Sequence, residues 1–360
     1  MKRTLLAVAA AMAVATCTPA AGPDRESNPA PASPAPATTT SPQPSSSVAP
    51  TIGPPTVRLR VVGAAPVIGP VQRPDGYAHG LPAASARASD GELLLFIVWF
   101  GASRGDQRVT LSRSTDGRTW TVGDEPIYDD LGLDLADPGP IPQAAIQLED
   151  GTWQLYGWGA LRTNPRAFTS WLATAPAPEG PWRLEAQDLV PLGQSGSWDS
   201  QAAALSSVVR RLDGGYVGWY DGQAPGTTYR GSIGYATSED GVTWTKRPAP
   251  LIAAGFCGAA TAAATIQPQV LPWRDHDLML FAGHPDGGER MSVFAATSQD
   301  GVEWRCESND PVLTKRDIPG SLDIHTIKGI ELGENRVGLI VESLGRESSD
   351  LWLAEVEALG

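Results

Sequence analysis

Beyond residue 55 the chain is a succession of short apolar runs. Leu93-Leu94-Leu95-Phe96-Ile97-Val98 has no polar alternation, which suits a strand covered on both faces. Turn chemistry separates such runs: Ser89-Asp90-Gly91, Glu149-Asp150-Gly151 and Asp213-Gly214-Gly215 each place a flexible glycine between two apolar stretches. The pattern predicts strands over 82–88, 92–100 and 108–114, with a fourth opening at 120–122. It repeats as 203–212, 216–220 and 232–237, then as 265–271, 278–282 and 291–297, and last as 326–332, 337–342 and 351–356. The last group lacks an outermost strand, while Val57-Arg58-Leu59-Arg60-Val61-Val62 is a spare one. It is expected to complete the last group and remove an exposed edge.

Two markers share one period. Asp75, Asp137, Asp199 and Asp323 are separated by 62, 62 and 124 residues, with Thr261 at the skipped position. Trp120, Trp182, Trp244 and Trp304 are separated by 62, 62 and 60. A repeat of this size, built from four short strands, predicts an all-β fold: a five-bladed β-propeller of four-stranded antiparallel blades, closed by the N-terminal strand.

The most specific local signal precedes each fourth strand. Ser114-Thr115-Asp116-Gly117-Arg118-Thr119-Trp120 recurs as Ser238-Glu239-Asp240-Gly241-Val242-Thr243-Trp244 and as Ser298-Gln299-Asp300-Gly301-Val302-Glu303-Trp304, with a remnant in Glu179-Gly180-Pro181-Trp182. Asp-Gly favours a tight hairpin because glycine accepts positive φ and aspartate bonds the turn backbone. These hairpins resemble the Asp-box (BNR) repeats of sialidases, one residue shorter than their usual spacing. The shorter form is more similar to blades of the arabinanase, β-xylosidase, invertase and levansucrase superfamily. That resemblance implies five-bladed propeller enzymes acting on glycosidic bonds, with three acids drawn from the first three blades.

Residues just before the inner strands would ring one end of the axis. By position, Asp75 then corresponds to the nucleophile or base, Asp137 in Ala136-Asp137-Pro138 to the transition-state stabiliser, and Asp199 to the acid, which is normally Glu in that superfamily. Glycoside cleavage needs such a set: one carboxyl protonates the leaving oxygen while another attacks or activates water. Tyr77, His79, Trp198, Asp323 and His325 lie nearby as candidate substrate-binding residues, and Gln267 and Gln269 occupy the fourth inner strand. Related enzymes hold a cation near the axis through a histidine and waters, so the resemblance makes His325 a candidate metal residue and Ca2+ a candidate ion. Equally, each aspartate at a fixed phase could bond its own loop backbone. Trp99, Trp158, Trp219 and Tyr220 end second strands, where they would fill gaps between blades or stack on sugar rings.

The first 55 residues are of another kind. Met1-Lys2-Arg3 and the apolar stretch from residue 5 to 15 lead into Val14-Ala15-Thr16-Cys17, which resembles a bacterial lipobox with Cys17 as the lipidated residue. Residues 1–17 are expected to be a lipoprotein signal, 18–55 a Pro/Ala/Ser/Thr-rich disordered tether, and 56–360 the folded domain. Such a protein would be exported and held to the extracytoplasmic side of a bacterial membrane by its lipid alone. The formal charge is -13, or -15 without Lys2 and Arg3, and an acidic surface repels nucleic acid. Cys257 and Cys306 remain; in an exported protein they either bridge or stay as buried thiols. The expected function is that of a monomeric, glycosidase-like protein acting on poly- or oligosaccharide; the alternative is a non-catalytic glycan-binding lipoprotein on the same scaffold.

Overall fold

The computed structural model describes residues 56–101, 106–128, 131–135, 139–226, 230–285, 291–333 and 335–359. Cys17, the tether and Asp137 lie outside the described residues. The fold is all-β. Strands follow one another as antiparallel meanders. The first unit holds β2 (Tyr77–Arg87), β3 (Leu93–Gly101) and β4 (Gln107–Ser114). The second holds β5 (Ile141–Gln147), β6 (Trp153–Leu161), β7 (Asn164–Ala175) and β8 (Arg183–Gln187). The third holds β9 (Ala202–Arg210), β10 (Tyr216–Gln223), β11 (Ser232–Ser238) and β12 (Trp244–Lys246). The fourth holds β13 (Ala264–Trp273), β14 (His276–His284), β15 (Ser292–Ser298) and β16 (Arg305–Cys306). The last holds β17 (Asp323–Gly333), β18 (Arg336–Leu344) and β19 (Ser349–Ala358).

The spare N-terminal strand β1 (Val57–Val61) pairs antiparallel with β19, Val57 opposite Ala358 and Val61 opposite Ala354. In the first unit the expected fourth strand is reduced to two isolated bridges, Arg113 with Thr121 and Thr110 with Pro126. Units two and three are joined by a single parallel pairing, Phe168 with Ala202. Among the described residues no hydrogen-bonded sheet closes on itself.

Packing between units explains the apolar runs. Leu94, Phe96 and Val98 face Trp153, Leu155 and Trp171 of the second unit, while Leu93, Leu95 and Ile97 face Ile330, Ile340 and Leu353 of the last. Alternate residues of β3 thus enter two different cores, which is why no polar position interrupts it. Tyr156 and Leu172 pack on Leu205 and Trp244. Trp219 and Ile233 pack on Met279, Phe281 and Phe294. Leu278 and Leu280 pack on Ile324, Leu339 and Val341. The first strands are neighbours in the same sequence: β2 with β5, β5 with β9, β9 with β13, β13 with β17, and β17 with β2.

Strand alternation puts the starts of these five strands at one end, here the upper end, and the hairpins before the fourth strands at the other. In those hairpins Asp116, Asp240 and Asp300 each accept two backbone N–H bonds at 2.7–2.9 Å, and Trp120, Trp244 and Trp304 donate Nε1–H to the carbonyls of Gly117, Gly241 and Gly301. Gly241, at φ 78°, holds the left-handed conformation that the turn requires. Cys257 and Cys306 form a disulfide with Cα atoms 5.7 Å apart, both buried, clasping the entry of the fourth unit to its outermost strand.

Candidate functional site

Each inner strand carries an irregularity where one or two residues fall outside the ladder: Ala83, Gln143, Ser206, Gln267-Pro268 and His325. A bulge leaves its extra residue unpaired and re-aims its side chain. Four of the five sites carry a polar side chain that joins a network running down the axis. Gln267 sits at φ 55°, in the left-handed region unusual for a side chain, immediately before Pro268.

Asp221, near the upper end of β10, is the centre of this network. Its carboxylate accepts from the Gln267 backbone N–H at 2.7 Å and from Ser206 Oγ at 2.8 Å. It stays partly exposed. Burial pushes its pKa up to about 6; the bonds from Gln267 and Ser206 and the charge of Lys328 oppose the rise without cancelling it. Gln267 then reaches the last unit, where its Nε2 donates to the His325 carbonyl at 3.3 Å and its Oε1 accepts from Ile327 N–H at 3.2 Å.

His325 is held in turn. Its Nδ1 lies 2.8 Å from Glu342 Oε2, and Glu342 is 1% exposed. Burial pushes Glu342 up, but the His325 charge and hydrogen bond, with a bond from Ser349, bring it below the usual carboxylate range. An ionised Glu342 favours Nδ1 as the protonated nitrogen and leaves Nε2 as the acceptor of the neutral ring. Burial lowers the His325 pKa; Glu342 and then Asp323 more than reverse this, and it lies above the ordinary value. His79 stands across the seam from the first unit. Its Nδ1 is buried with no hydrogen-bond partner among the described residues. Burial holds its pKa down, and the charge of Glu342 does not restore it. Arg73 closes the seam, donating to the Ser349 carbonyl at 2.7 Å and to Asp350 at 3.0 Å.

His79, Asp323 and His325 lie toward the upper end, where the inner strands β2 and β17 begin. Tyr77 is there too, its hydroxyl donating to Asp106 at 3.1 Å beneath the Arg108 guanidinium, which lies 4.7 Å from its ring. Asp75 is exposed before β2. Asp199 stands apart. It is 3% exposed and turned to the outer edge of its sheet, where Lys246 of β12 bonds it at 2.6 Å, Ser197 Oγ at 2.9 Å and the Tyr220 hydroxyl at 3.2 Å. An ion pair and two hydroxyls account for this buried carboxylate, so its phase in the repeat does not carry it to the axis. Trp198 stacks on Tyr220 with ring centroids 5.6 Å apart and donates to the Pro248 carbonyl at 3.1 Å. Trp99 and Trp219 are buried between units.

Sequence reasoning missed Asp221, Glu342 and Lys328. Each is a charged residue inside or at the end of an apolar strand, which is a readable signal because a buried charge needs a partner. Among the described residues no three His, Cys, Asp or Glu side chains converge as a metal set. A cation at the upper end would have His325 Nε2 as its protein ligand, oriented by Glu342, with water supplying the rest.

No family model matches the chain. No curated protein matches it either. Solved structures do. A glycoside hydrolase aligns with TM-score 0.63 at 18% identity, covering 84% of this chain and 93% of the other. A thermostable family-43 glycoside hydrolase aligns with TM-score 0.59 at 13% identity, covering 81% and 92%. The β-1,2-mannobiose phosphorylase of Listeria innocua aligns with TM-score 0.61 at 12% identity, covering 83% and 96%. At these identities the likeness is one of fold. The chain shares its overall fold with these three proteins.

Proposed function

We propose that the chain is a five-bladed β-propeller that acts on the glycosidic bonds of a poly- or oligosaccharide at the upper end of its axis. Circular contact among the first strands and the β1–β19 pairing support the blade count and closure. The observation that carries the chemistry is Asp221: a partly exposed carboxyl near the upper end of the axis, poised at a pKa of about 6. A pKa near the working pH suits a general acid that protonates a leaving glycosidic oxygen. Asp75 and Asp137, which precede β2 and β5 in the sequence, are the candidates for the second carboxylate. His325 and His79 would hydrogen-bond sugar hydroxyls. Cys17 would carry a lipid and residues 18–55 would hold a monomeric domain off the extracytoplasmic face of a membrane. A calcium ion at the axis would sit near His325 and bind it through water.

The alternative reading, a glycan-binding propeller without catalysis, draws support from Asp199, whose carboxylate is consumed by Lys246 and its hydroxyl partners. A reducing-sugar release screen over poly- and oligosaccharides separates the two. Catalysis predicts release by the parent and its loss in folded Asp221→Asn. A flat screen with measurable sugar binding supports the alternative, and release that survives Asp221→Asn refutes the assignment of the acid.

A further inference from the structure

The lower end of the axis holds a cavity of about 400 Å³, walled by all five inner strands and separated from the upper site by the Asp221–Ser206–Lys328 layer. Its floor is a cation. The Lys328 ammonium, 2% exposed, donates to the Gln143 carbonyl at 2.8 Å, to Gln143 Oε1 at 3.3 Å and to the Ser206 carbonyl at 3.4 Å. All three acceptors are neutral and two of the contacts are long. The charged group that faces Lys328 from β10 is Asp221, whose oxygens are engaged by Gln267 and Ser206. Burial therefore holds the Lys328 pKa down to about 7, with the charge of Asp221 opposing.

The other charged groups lining the cavity are Arg87 from β2, Arg210 from β9 and Glu331 from β17; β5 and β13 present the amides of Gln143 and Gln269. Arg210 Nη1 reaches Glu149 at 3.1 Å and its guanidinium also faces Tyr216, while Nε is buried with no hydrogen-bond partner among the described residues. Among the lining charges Lys328, Arg87 and Arg210 stand with Glu331, while Asp221 and Glu149 reach Lys328 and Arg210 from outside the lining. Serine and glutamine side chains along the wall add hydroxyl and amide partners. The volume falls in the range of small-molecule sites, roughly 300–1,000 Å³.

We propose that this lower cavity is a second ligand site, taking a small polyhydroxylated carboxylate of the size of one sugar acid, with its carboxylate between Lys328 and Arg210. The proposal does not require catalysis at the upper end, although Lys328 and Asp221 feel each other's charge. A carboxylate beside Lys328 favours the ammonium, so binding draws a proton onto that lysine whenever the pH stands at or above its free value. Affinity is then highest below about pH 7 and falls as the pH rises above it.

Calorimetric titration of the whole chain tests this with D-glucuronate, D-glucose and sulfate, near pH 8 in two buffers of different ionisation enthalpy. Glucuronate should bind about tenfold more tightly than glucose or sulfate, with net proton uptake. Arg210→Gln, a change at the cavity rim, should weaken it about fivefold, and Lys328→Met should abolish the proton uptake. Should Lys328→Met fail to fold, Arg210→Gln and the buffer dependence still decide. Absence of glucuronate heat, equal affinity for glucose, equal affinity for sulfate, or binding lost in His325→Ala but kept in Arg210→Gln would each overturn the proposal.

Discussion

Replacing Asp221 by Asn should stabilise this protein in alkali and not in acid. The carboxylate has a pKa of about 6 in the fold against 3.8 for the free side chain. Its ionised form is thus disfavoured by about 3 kcal/mol, taking about 1.4 kcal/mol per pH unit. The group contributes no penalty below about pH 4, a growing one through the interval up to its folded value, and a constant one above. Between pH 4.5 and 8 the parent should lose about 2 kcal/mol that the variant keeps. Asn retains an oxygen for the Gln267 N–H, and the Ser206 hydroxyl can turn to serve the amide, so both bonds survive. Lys328 loses its charged neighbour, but with a pKa of about 7 it is largely neutral at pH 8 and adds little there. For a domain of this size the difference amounts to a melting-temperature gap of about 3 °C that opens between the two pH values. Thermal melts of parent and variant at both pH values measure it. A variant less stable at pH 8 than at pH 4.5, relative to the parent, would refute the placement of an ionisable group in a desolvating pocket.

Lys246→Met should cost about 3 kcal/mol by leaving Asp199 buried and unpaired, and the double change with Asp199→Asn should recover much of it; urea melts of the three variants give the coupling. If sugar release is found, the double variant should retain it. Reducing Cys257–Cys306, which spans 49 residues, should remove about 2–4 kcal/mol by freeing the unfolded chain, read as a lower midpoint in urea with reductant. Asp240 is held down to about 2 by the Thr243 and Val242 amides; NMR titration should find it ionised until strong acid, and the hairpin should loosen only as the pH falls through that value.

The repeat was readable because the hairpin tryptophans and the unbroken run from Leu93 to Val98 answer to local rules. A residue facing two cores must be apolar, and an Asp-Gly turn needs its glycine. The pairing of β1 with β19 followed from counting strands in the last unit. The first inner strand begins at Tyr77, earlier than the run from Pro82, because bulges at Ala78 and Ala83 break its alternation without ending its ladder. The site was less readable. Asp199 keeps the period of the repeat, yet Lys246, remote in sequence, decides where its carboxylate goes. Asp221 and Lys328 do not follow the period. Their partners come from three other strands, and no short window of sequence contains them.

The bulges have a practical consequence for redesign. Ala83, Gln143, Ser206, Gln267 and His325 stand outside the ladders that hold the strands together, so their side chains can be exchanged with little effect on pairing between neighbours. The first strand already shows this economy, with a methyl group where its counterparts carry amides, a hydroxyl and an imidazole. New side chains could therefore be written one position per strand without disturbing the ladders, provided they replace the hydrogen bonds that Gln143, Ser206, Gln267 and His325 make.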